Sequence, residues 1–323
     1  MMQTSQSEAW DLTFLLFWER EGLARYAVKA GRIHSVEWIC KVAGHWYIRE
    51  HALSPTGDWL CIAFHSDTVL IDLRHRRWHW LTRNRTLPDS LYRLVWSPDG
   101  RFLVGVAMGE FYRYSHLTLF SLPPSEPRVL TRVQKRDEAV IQAFGWFPDS
   151  RRVWLAVGEL HSEESTWSWY KVALSSSGQV AVSSNERRQI QSGWDFLPRA
   201  HRYAPGSRAF DTYAYTADRQ LRIQFDRLWL PHDMERPLVQ FRGRPARPIK
   251  IPDWLARRED SLIITDVSLD KKHLLARTQD AYYIIAIDTS QWTPVVARQA
   301  APELFDSERV LRADFVQSSR LLR

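Results

Sequence analysis

A short turn motif that recurs along the chain restricts the possible folds more than any other feature of this sequence. Its complete copy lies in Leu94–Arg101, which reads Leu-Val-Trp-Ser-Pro-Asp-Gly-Arg. Pro98 sets φ at the first turn position, Asp99 hydrogen-bonds within its own turn, and Gly100 accepts the left-handed conformation. The apolar residues on both sides therefore predict two antiparallel strands joined by a tight turn.

Weaker copies of the motif show that this hairpin is one unit of a repeat. Successive copies, aligned on the position of Pro98, lie 43 to 64 residues apart. They are found at Leu53–Asp58, Trp146–Arg151, Tyr203–Arg208, Val267–Lys272 and Phe315–Arg320. Each copy before the last is followed by a second pair of strands, as in Thr68–Leu73 and Trp78–Thr82. Four strands per repeat of this length predict the blades of a β-propeller.

The two ends of the chain complete the count of blades. The last copy supplies only two strands, whereas Leu12–Trp18 and Leu23–Ala30 supply two strands at the start. Joining these strands in one blade would close the ring and leave no open sheet edge. We therefore predict an all-β protein, a single β-propeller of six four-stranded blades over residues 11–323, after a disordered tail at residues 1–10.

Two segments leave a seven-bladed propeller open as the alternative. A further, degenerate blade would lie in Ala30–Glu50 or in Phe241–Ser261. Helical periodicity is nearly absent from the chain. Short helical turns are expected only at Ala139–Phe144, Pro252–Glu259 and Pro302–Arg309.

The Ser-Pro-Asp-Gly sequence at residues 97–100, within four-stranded repeats, resembles the WD40-like (PD40) repeats of the TolB-like β-propeller family. The resemblance covers nearly the whole chain, although only this copy of the motif is complete. The Trp-Asp and Gly-His signatures of eukaryotic WD40 blades are absent from their expected positions, since Trp194-Asp195 falls in a predicted inter-blade loop. This family shares an architecture rather than one activity, so the resemblance implies only binding or scaffolding.

Charge and cysteine content exclude several classes of protein. Lys and Arg number 44 against 37 Asp and Glu, a formal net charge of +7, which spread over 323 residues is not a nucleic-acid signature. Cys40 and Cys61 are too few for a disulfide framework or a zinc site. The first 30 residues carry no signal-peptide pattern, and no apolar run is long enough to cross a membrane. We therefore expect a cytoplasmic monomer without membrane association; because TolB-like proteins are often exported, a different start codon would change the compartment.

Catalytic motifs are missing from the sequence. It contains no Gly-x-Ser-x-Gly, His-Glu-x-x-His, phosphate-binding Gly-rich loop or Cys-x-x-Cys motif, so we predict no enzyme activity and no cofactor. Glu159, His161, Glu163 and Glu164 crowd one loop, but a second cluster with ligand spacing is absent, and no metal site is predicted. A lactonase-like, metal-dependent hydrolase with an axial site stays the alternative, because ligands scattered over inner strands are not visible as a motif.

Long connections point to the binding surface. In a propeller the second-to-third loops and the blade connections share one face, and function collects where loops lengthen. On this long-loop face we place the segments Gly109–Ser115, Gly158–Thr166, Asn185–Arg199, Arg242–Ser261 and Gln299–Arg309. A protein partner is expected to dock there, because exposed Tyr, Trp and Arg dominate protein-binding sites. The predicted partner-binding residues are Tyr112, Arg113, Tyr114, Arg244 and Trp254.

Each of these segments also has a purely structural interpretation. The aromatic residues at 111–114 would then fold back over the rim of their blade. The basic run at residues 242–250 would be a solvated connection stiffened by proline. A third interpretation is weak nucleic-acid binding by this basic loop, with Trp254 stacking on a base.

Overall fold

Short segments of apolar and β-branched residues, separated by polar turns, form antiparallel strands throughout the chain. The computed structural model describes residues 10–18, 21–42, 48–64, 67–81, 91–108, 114–122, 124, 128–134, 139–159, 166–175, 179–192, 213–216, 218, 220–224, 227–230, 236–305, 310–315 and 321–322. In chain order the strands are β1 (Leu12–Trp18), β2 (Gly22–Lys29), β3 (Arg32–Cys40), β4 (Ile48–Leu53), β5 (Trp59–Phe64), β6 (Thr68–Asp72), β7 (Arg77–Trp80), β8 (Leu91–Trp96), β9 (Phe102–Met108), β10 (Tyr114–Ser121), β11 (Arg128–Gln134), β12 (Ala139–Trp146), β13 (Arg152–Glu159), β14 (Ser168–Ala173), β15 (Gln179–Ala181), β16 (Tyr213–Thr216), β17 (Leu221–Gln224), β18 (Arg227–Leu230), β19 (Leu238–Phe241), β20 (Arg247–Pro248), β21 (Asp260–Val267), β22 (His273–Arg277), β23 (Ala281–Ala286), β24 (Trp292–Ala297), β25 (Val310–Phe315) and β26 (Leu321–Leu322). The helices are α1 (Ser184–Ser192) and α2 (Asp253–Ala256), and Pro302–Phe305 forms a 3-10 turn.

These strands form six antiparallel sheets, the blades of a six-bladed β-propeller, and the predicted fold class is confirmed. The strand orders are β25-β1-β2-β3, β4-β5-β6-β7, β11-β10-β9-β8, β12-β13-β14-β15, β20-β19-β17-β16-β26 and β18-β21-β22-β23-β24. Within the described residues, two sheets therefore carry a fifth strand. No helix in this part of the chain has the length and apolarity that crossing a membrane requires.

The chain divides into two compact units, each with its own sheets. The first unit, within residues 1–44, 226–236 and 248–321, holds the sheets that contain β1 and β21. Its core fills the space between these sheets, where the rings of Phe14 and Tyr282 meet edge-on at 5.0 Å.

The second unit, within residues 45–225, 237–247 and 322–323, holds the other four sheets, and tryptophans connect neighbouring blades within it. The indole N–H of Trp96 donates to the Ala52 carbonyl at 3.0 Å, and the indole N–H of Trp146 donates to the Val95 carbonyl at 3.0 Å. Each bond joins the first strand of one sheet to the first strand of the sheet before it. Trp96 and Trp146 therefore have a structural role between neighbouring sheets.

The predicted joining of the chain ends is confirmed, with a different division of strands. β25 pairs with β1, so strands from both ends share one sheet. One C-terminal strand meets three N-terminal strands there, because β3 is the fourth strand of this sheet. β3 lies within Ala30–Glu50, and β20 and α2 lie within Phe241–Ser261, so the described residues of neither segment form a seventh blade.

Several local predictions are wrong. Ala139–Phe144 lies in β12 rather than in a helix, because its apolar residues pack between sheets. The repeat is also irregular at Leu221–Leu230, which is divided into β17 and β18, and these strands belong to different sheets. The turn between β16 and β17 lies at Thr216–Leu221, whereas the copy predicted at Tyr203–Arg208 falls outside the described residues.

Of the other two expected helical segments, Pro252–Glu259 contains α2 and Pro302–Arg309 begins with the 3-10 turn. Helix α1 was not expected from the sequence.

Candidate partner-binding surface

The chain between β20 and β21 carries Trp254 and runs along the flank of the sheet β18-β21-β22-β23-β24, which we call the sixth sheet. At its start the backbone N–H of Lys250 donates to Ser290 Oγ at 3.1 Å, and the Trp292 indole donates to the Lys250 carbonyl at 2.9 Å. At its end the Arg258 guanidinium donates to Asp280 at 2.7 Å. The segment 250–258 is thus attached to its own sheet at both ends.

Buried apolar side chains also attach this segment to the protein. Ile249 and Leu255 are fully buried, and Ile251 is 9% exposed. They lie next to Lys250 and Trp254 in the sequence, so these two exposed residues are held on an ordered backbone. A side chain presented in this way loses little conformational freedom when a partner covers it.

Trp254 combines a firm support with a large exposed area. Its ring lies 5.6 Å from the ring of Tyr283, which in turn lies 5.7 Å from Trp292. Tyr283 is buried, and this burial raises the pKa of its hydroxyl above the ordinary value. Trp254 itself is 47% exposed. We call the exposed residues Lys250, Asp253, Trp254, Arg257 and Glu259 the Trp254 surface.

The position of Trp254 differs from the predicted one. Its segment begins beside Ser290, in the turn between β23 and β24, and ends beside Asp280, before β23 begins. These two turns lie at opposite ends of the same antiparallel sheet. Trp254 therefore lies on the flank of the sheet, between its ends, rather than in a long loop at one end.

Arg244 is also not where the sequence placed it, and that prediction of its position is wrong. Because β20 pairs with β19, residues 242–246 form the turn between the third and fourth strands of their sheet. The backbone N–H of Arg242 donates to the Gln220 carbonyl at 2.9 Å, so this turn lies beside the β16–β17 turn. Arg244 is exposed at the end with the tight turns, opposite to the long-loop end.

The conformation of this turn depends on its glycine. Gly243 has φ of +72°, and a Cβ added there would contact nothing within 4 Å. The residue is therefore needed for its backbone conformation and not for close packing. Arg244 follows with its guanidinium 6.0 Å from the Phe241 ring, and its carbonyl accepts from Gln240 Nε2 at 2.9 Å.

The remaining predicted residues, 112–114, lie in or next to an internal segment outside the described residues. Tyr112 and Arg113 fall outside the described residues. Tyr114 is the first residue of β10 and pairs with Gln134. Since β9 ends at Met108, the connection before Tyr114 joins the second and third strands, as expected. A partner-binding role for Tyr112, Arg113 and Tyr114 stays a prediction.

Among the residues that the structure describes, no three His, Cys, Asp or Glu side chains are close enough to hold a metal ion. Glu159 ends β13, and the other three residues of its predicted loop cluster lie outside that part of the chain. Burial raises the pKa of the Cys40 thiol to about 11 and raises the pKa of the Cys61 thiol further. Neither thiol is a reactive thiolate at neutral pH.

Three polar residues that the sequence did not reveal as a group, Glu50, Arg93 and Gln142, interact across the first strands of three sheets in the second unit. Glu50 of β4 accepts the backbone N–H of Arg93 at 2.6 Å and that of Leu94 at 3.1 Å. The Arg93 guanidinium of β8 donates to the carbonyl of Gln142 in β12. In β8 and β12 the signal in the sequence is an arginine or a glutamine within a mostly apolar first strand, whereas β4 carries three polar residues in a row and gives no such signal.

No protein-family model matches this chain, and no curated protein matches it. Among solved structures, it is similar to a chain of the nidogen/laminin complex, with 9% identity, 93% of this chain and 97% of that chain covered, and a TM-score of 0.46. A putative TolB from Agrobacterium tumefaciens has 10% identity, covers 90% of this chain and 89% of its own, and has a TM-score of 0.42. The β-propeller domain of Cps50 (Swd1) from Myceliophteria thermophila has 16% identity, with coverages of 76% and 85% and a TM-score of 0.38.

The three TM-scores lie below 0.5, and the assignment of the fold therefore rests on the chain's own strand order. At such low identities the similarity concerns the fold alone. The strand order of the six sheets independently defines that fold, a six-bladed β-propeller.

Proposed function

We propose that this chain is a non-enzymatic binding propeller that docks a protein partner, with Trp254 at the centre of the contact. The observation that carries this proposal is that Trp254 is 47% exposed while its segment is attached to the sixth sheet on both sides. Tryptophan on a rigid support is the residue type most enriched among binding hot spots. Its burial by a partner would remove a large apolar area from water at a small cost in entropy.

The charges around Trp254 favour a protein over a nucleic acid. Lys250 and Arg257 are exposed near it, and so are Asp253 and Glu259. A rim of both signs around an aromatic centre is typical of protein interfaces. Nucleic-acid sites instead carry an excess of positive charge that tracks the phosphate backbone.

Affinity capture with matched variants tests the proposal. The full chain, immobilised, is exposed to lysate of its source cells, beside Trp254→Ala and Trp38→Ala. Trp38 is a suitable control because it is 44% exposed on the outer strand β3. A partner should be captured by the unmodified chain and by Trp38→Ala, and at least about tenfold less by Trp254→Ala. Thermal unfolding should show that both variants keep the melting temperature within a few degrees.

Two results would contradict the proposal. One is equal capture of the same proteins by Trp254→Ala, and the other is capture that disappears after nuclease treatment, which would favour nucleic-acid binding. A further variant with alanine at 112, 113 and 114 tests the long-loop residues in the same assay. Loss of capture in that variant alone would move the contact to the long-loop face.

A further inference from the structure

A one-residue β-bulge recurs in the first strands of three sheets of the second unit. The pairing of β4 with β5 skips Arg49, that of β8 with β9 skips Arg93, and that of β12 with β13 skips Gln142. Bulges turn a side chain away from the regular alternation and often lie beside functional sites. In β8 the residue so placed is an arginine within an apolar strand.

The backbone at Arg93 is held in a strained conformation. Its φ is +54°, which is unfavourable for a residue with a side chain. Gly105 lies opposite the bulge, and a Cβ there would approach Leu94 Cδ2 to 3.1 Å and Leu91 Cδ2 to 3.3 Å. Glu50 fixes the bulge by accepting the N–H groups of Arg93 and Leu94. Packing and hydrogen bonds thus maintain a conformation that glycine would adopt more easily.

Among the described residues, the guanidinium of Arg93 has few hydrogen-bond partners. Burial lowers the pKa of its guanidinium below the ordinary value. Among the described residues, the acceptor of the guanidinium is the Gln142 carbonyl, and no carboxylate forms an ion pair with it. A guanidinium has five N–H donors, so most of them lack a described partner. A partly buried guanidinium with few hydrogen-bond partners is energetically unfavourable, and an anion that pairs with it would remove part of this cost.

We propose that Arg93 is the anchor of a binding site for a small oxyanion, a carboxylate or a phosphate. The planar guanidinium presents parallel N–H groups that match two oxygens of either anion. Glu50 positions Arg93 through the backbone, because both of its carboxylate oxygens accept main-chain N–H groups. The Gln142 carbonyl, in β12 of another sheet, orients the guanidinium. This site is separate in chemistry from the Trp254 surface and does not depend on the proposed partner.

Anion titrations of the purified full chain test this site. Inorganic phosphate, acetate, succinate and citrate are titrated at constant ionic strength, with sodium chloride as the reference, and binding is measured by calorimetry and by the melting temperature. At least one of these oxyanions should bind the unmodified chain and raise its melting temperature above that in chloride. Comparison of the phosphate and carboxylate titrations identifies which anion the site prefers.

Three variants decide whether Arg93 is responsible. Arg93→Gln should abolish the binding, and Arg93→Lys, which keeps a charge but loses the planar fork, should weaken it at least about tenfold. Arg101→Gln, an exposed arginine on the turn after β8, should bind like the unmodified chain. The proposal is wrong if none of the oxyanions binds the unmodified chain in excess of chloride. It is equally wrong if Arg93→Lys binds with unchanged affinity, a result that can be read even if Arg93→Gln does not fold.

Discussion

A hydroxyl and a carboxylate stabilise the recurring turn through the same hydrogen bonds in different sheets. In the complete copy, Ser97 Oγ donates to Asp99 at 2.6 Å and accepts the N–H of Phe102 at 2.9 Å. Ser268 with Asp270, and Thr216 with Asp218, repeat the pair at 2.6 and 2.7 Å. The hydroxyl therefore provides the acceptor for the first N–H of the returning strand.

Replacement of Ser97 separates this hydroxyl from the rest of the motif. Because Ser97 is fully buried, Ser97→Ala should lower the free energy of unfolding by about 1–2 kcal/mol. Ser97→Thr should retain most of the stability, since Thr216 makes the equivalent bond to the N–H of Leu221 at 3.1 Å. Urea unfolding measures both. Equal midpoints for the unmodified chain and Ser97→Ala would show that the hydroxyl contributes nothing.

The same chemistry explains which turns the sequence could reveal. Pro98 and Gly100 make the complete copy conspicuous, and an alignment based on them selects Pro205-Gly206 as a copy. The β16–β17 turn instead keeps only Thr216 and Asp218, the two residues whose side chains form the bonds. The proline and the glycine of the motif are replaceable, because other residues reach the required backbone conformation. Ser150, at the position that corresponds to Gly100, does so with φ of 53°.

At the scale of the element, α1 has a start signal that a search for apolar periodicity does not detect. Ser183 Oγ accepts the N–H of Glu186 at 3.3 Å, and Glu186 accepts the N–H of Ser183 at 3.0 Å. This reciprocal pair is a capping box. The nine residues of the helix are mostly polar, and Ile190 among them is fully buried. The cap and the burial of Ile190 therefore support a helix whose mostly polar sequence resembles that of a loop.

Glu186 also connects α1 to the adjacent sheet and gives it a pH dependence. Lys171 Nζ lies 2.8 Å from its carboxylate, and this bond, with those from Ser183, lowers the pKa of Glu186 from 4.5 to about 2. Because the pKa is lower in the folded state, the stabilisation is complete above pH 4.5 and is lost as the pH falls towards 2. Glu186→Gln should lower stability at pH 7 by about 1 kcal/mol, and the difference from the unmodified chain should vanish near pH 2.

Denaturant unfolding between about pH 2 and pH 7 measures that difference. Glu37→Gln is the control, because Glu37 and Arg25 form an ion pair whose side chains are 40% and 42% exposed. Such an exposed pair contributes little, so the control should follow the unmodified chain throughout. A constant difference between Glu186→Gln and the unmodified chain over this range would mean that the carboxylate charge is not the cause.

At the scale of the whole molecule, the sequence predicts the class of fold better than it predicts the surface. The repeated four-strand pattern, together with the strands at the two chain ends, is sufficient to predict a six-bladed propeller. The reason is that each sheet must bury both of its faces against other sheets. The positions of Arg244 and Trp254 depend on where the fourth strand of a sheet begins, and β20 contains only two residues. A strand this short leaves no periodic signal, so the sequence alone does not distinguish this hairpin turn from a connection between blades.

β25 is the C-terminal strand of the sheet that joins the two ends of the chain, and we expect it to be essential for the first unit. β25 contributes Leu311, Ala313 and Phe315 to the buried residues, and the N–H of Phe315 donates to the buried Asp266 at 2.9 Å. Removal of a buried Leu or Phe side chain alone costs about 2–5 kcal/mol, which is comparable to the whole stability of many domains. Deletion of β25 would also expose the paired edge of β1 to solvent.

Two truncations differ only in this strand and test its contribution. A chain that ends after residue 315 keeps β25 and should retain its circular dichroism spectrum and its melting temperature within a few degrees. A chain that ends after residue 309 should lose cooperative unfolding of the first unit, because both the core of that unit and the edge of β1 are then exposed. Hydrogen exchange should show the loss of protection in β1 and β2. If the shorter chain keeps protected amides in β1, then pairing with β25 is not what holds that sheet together.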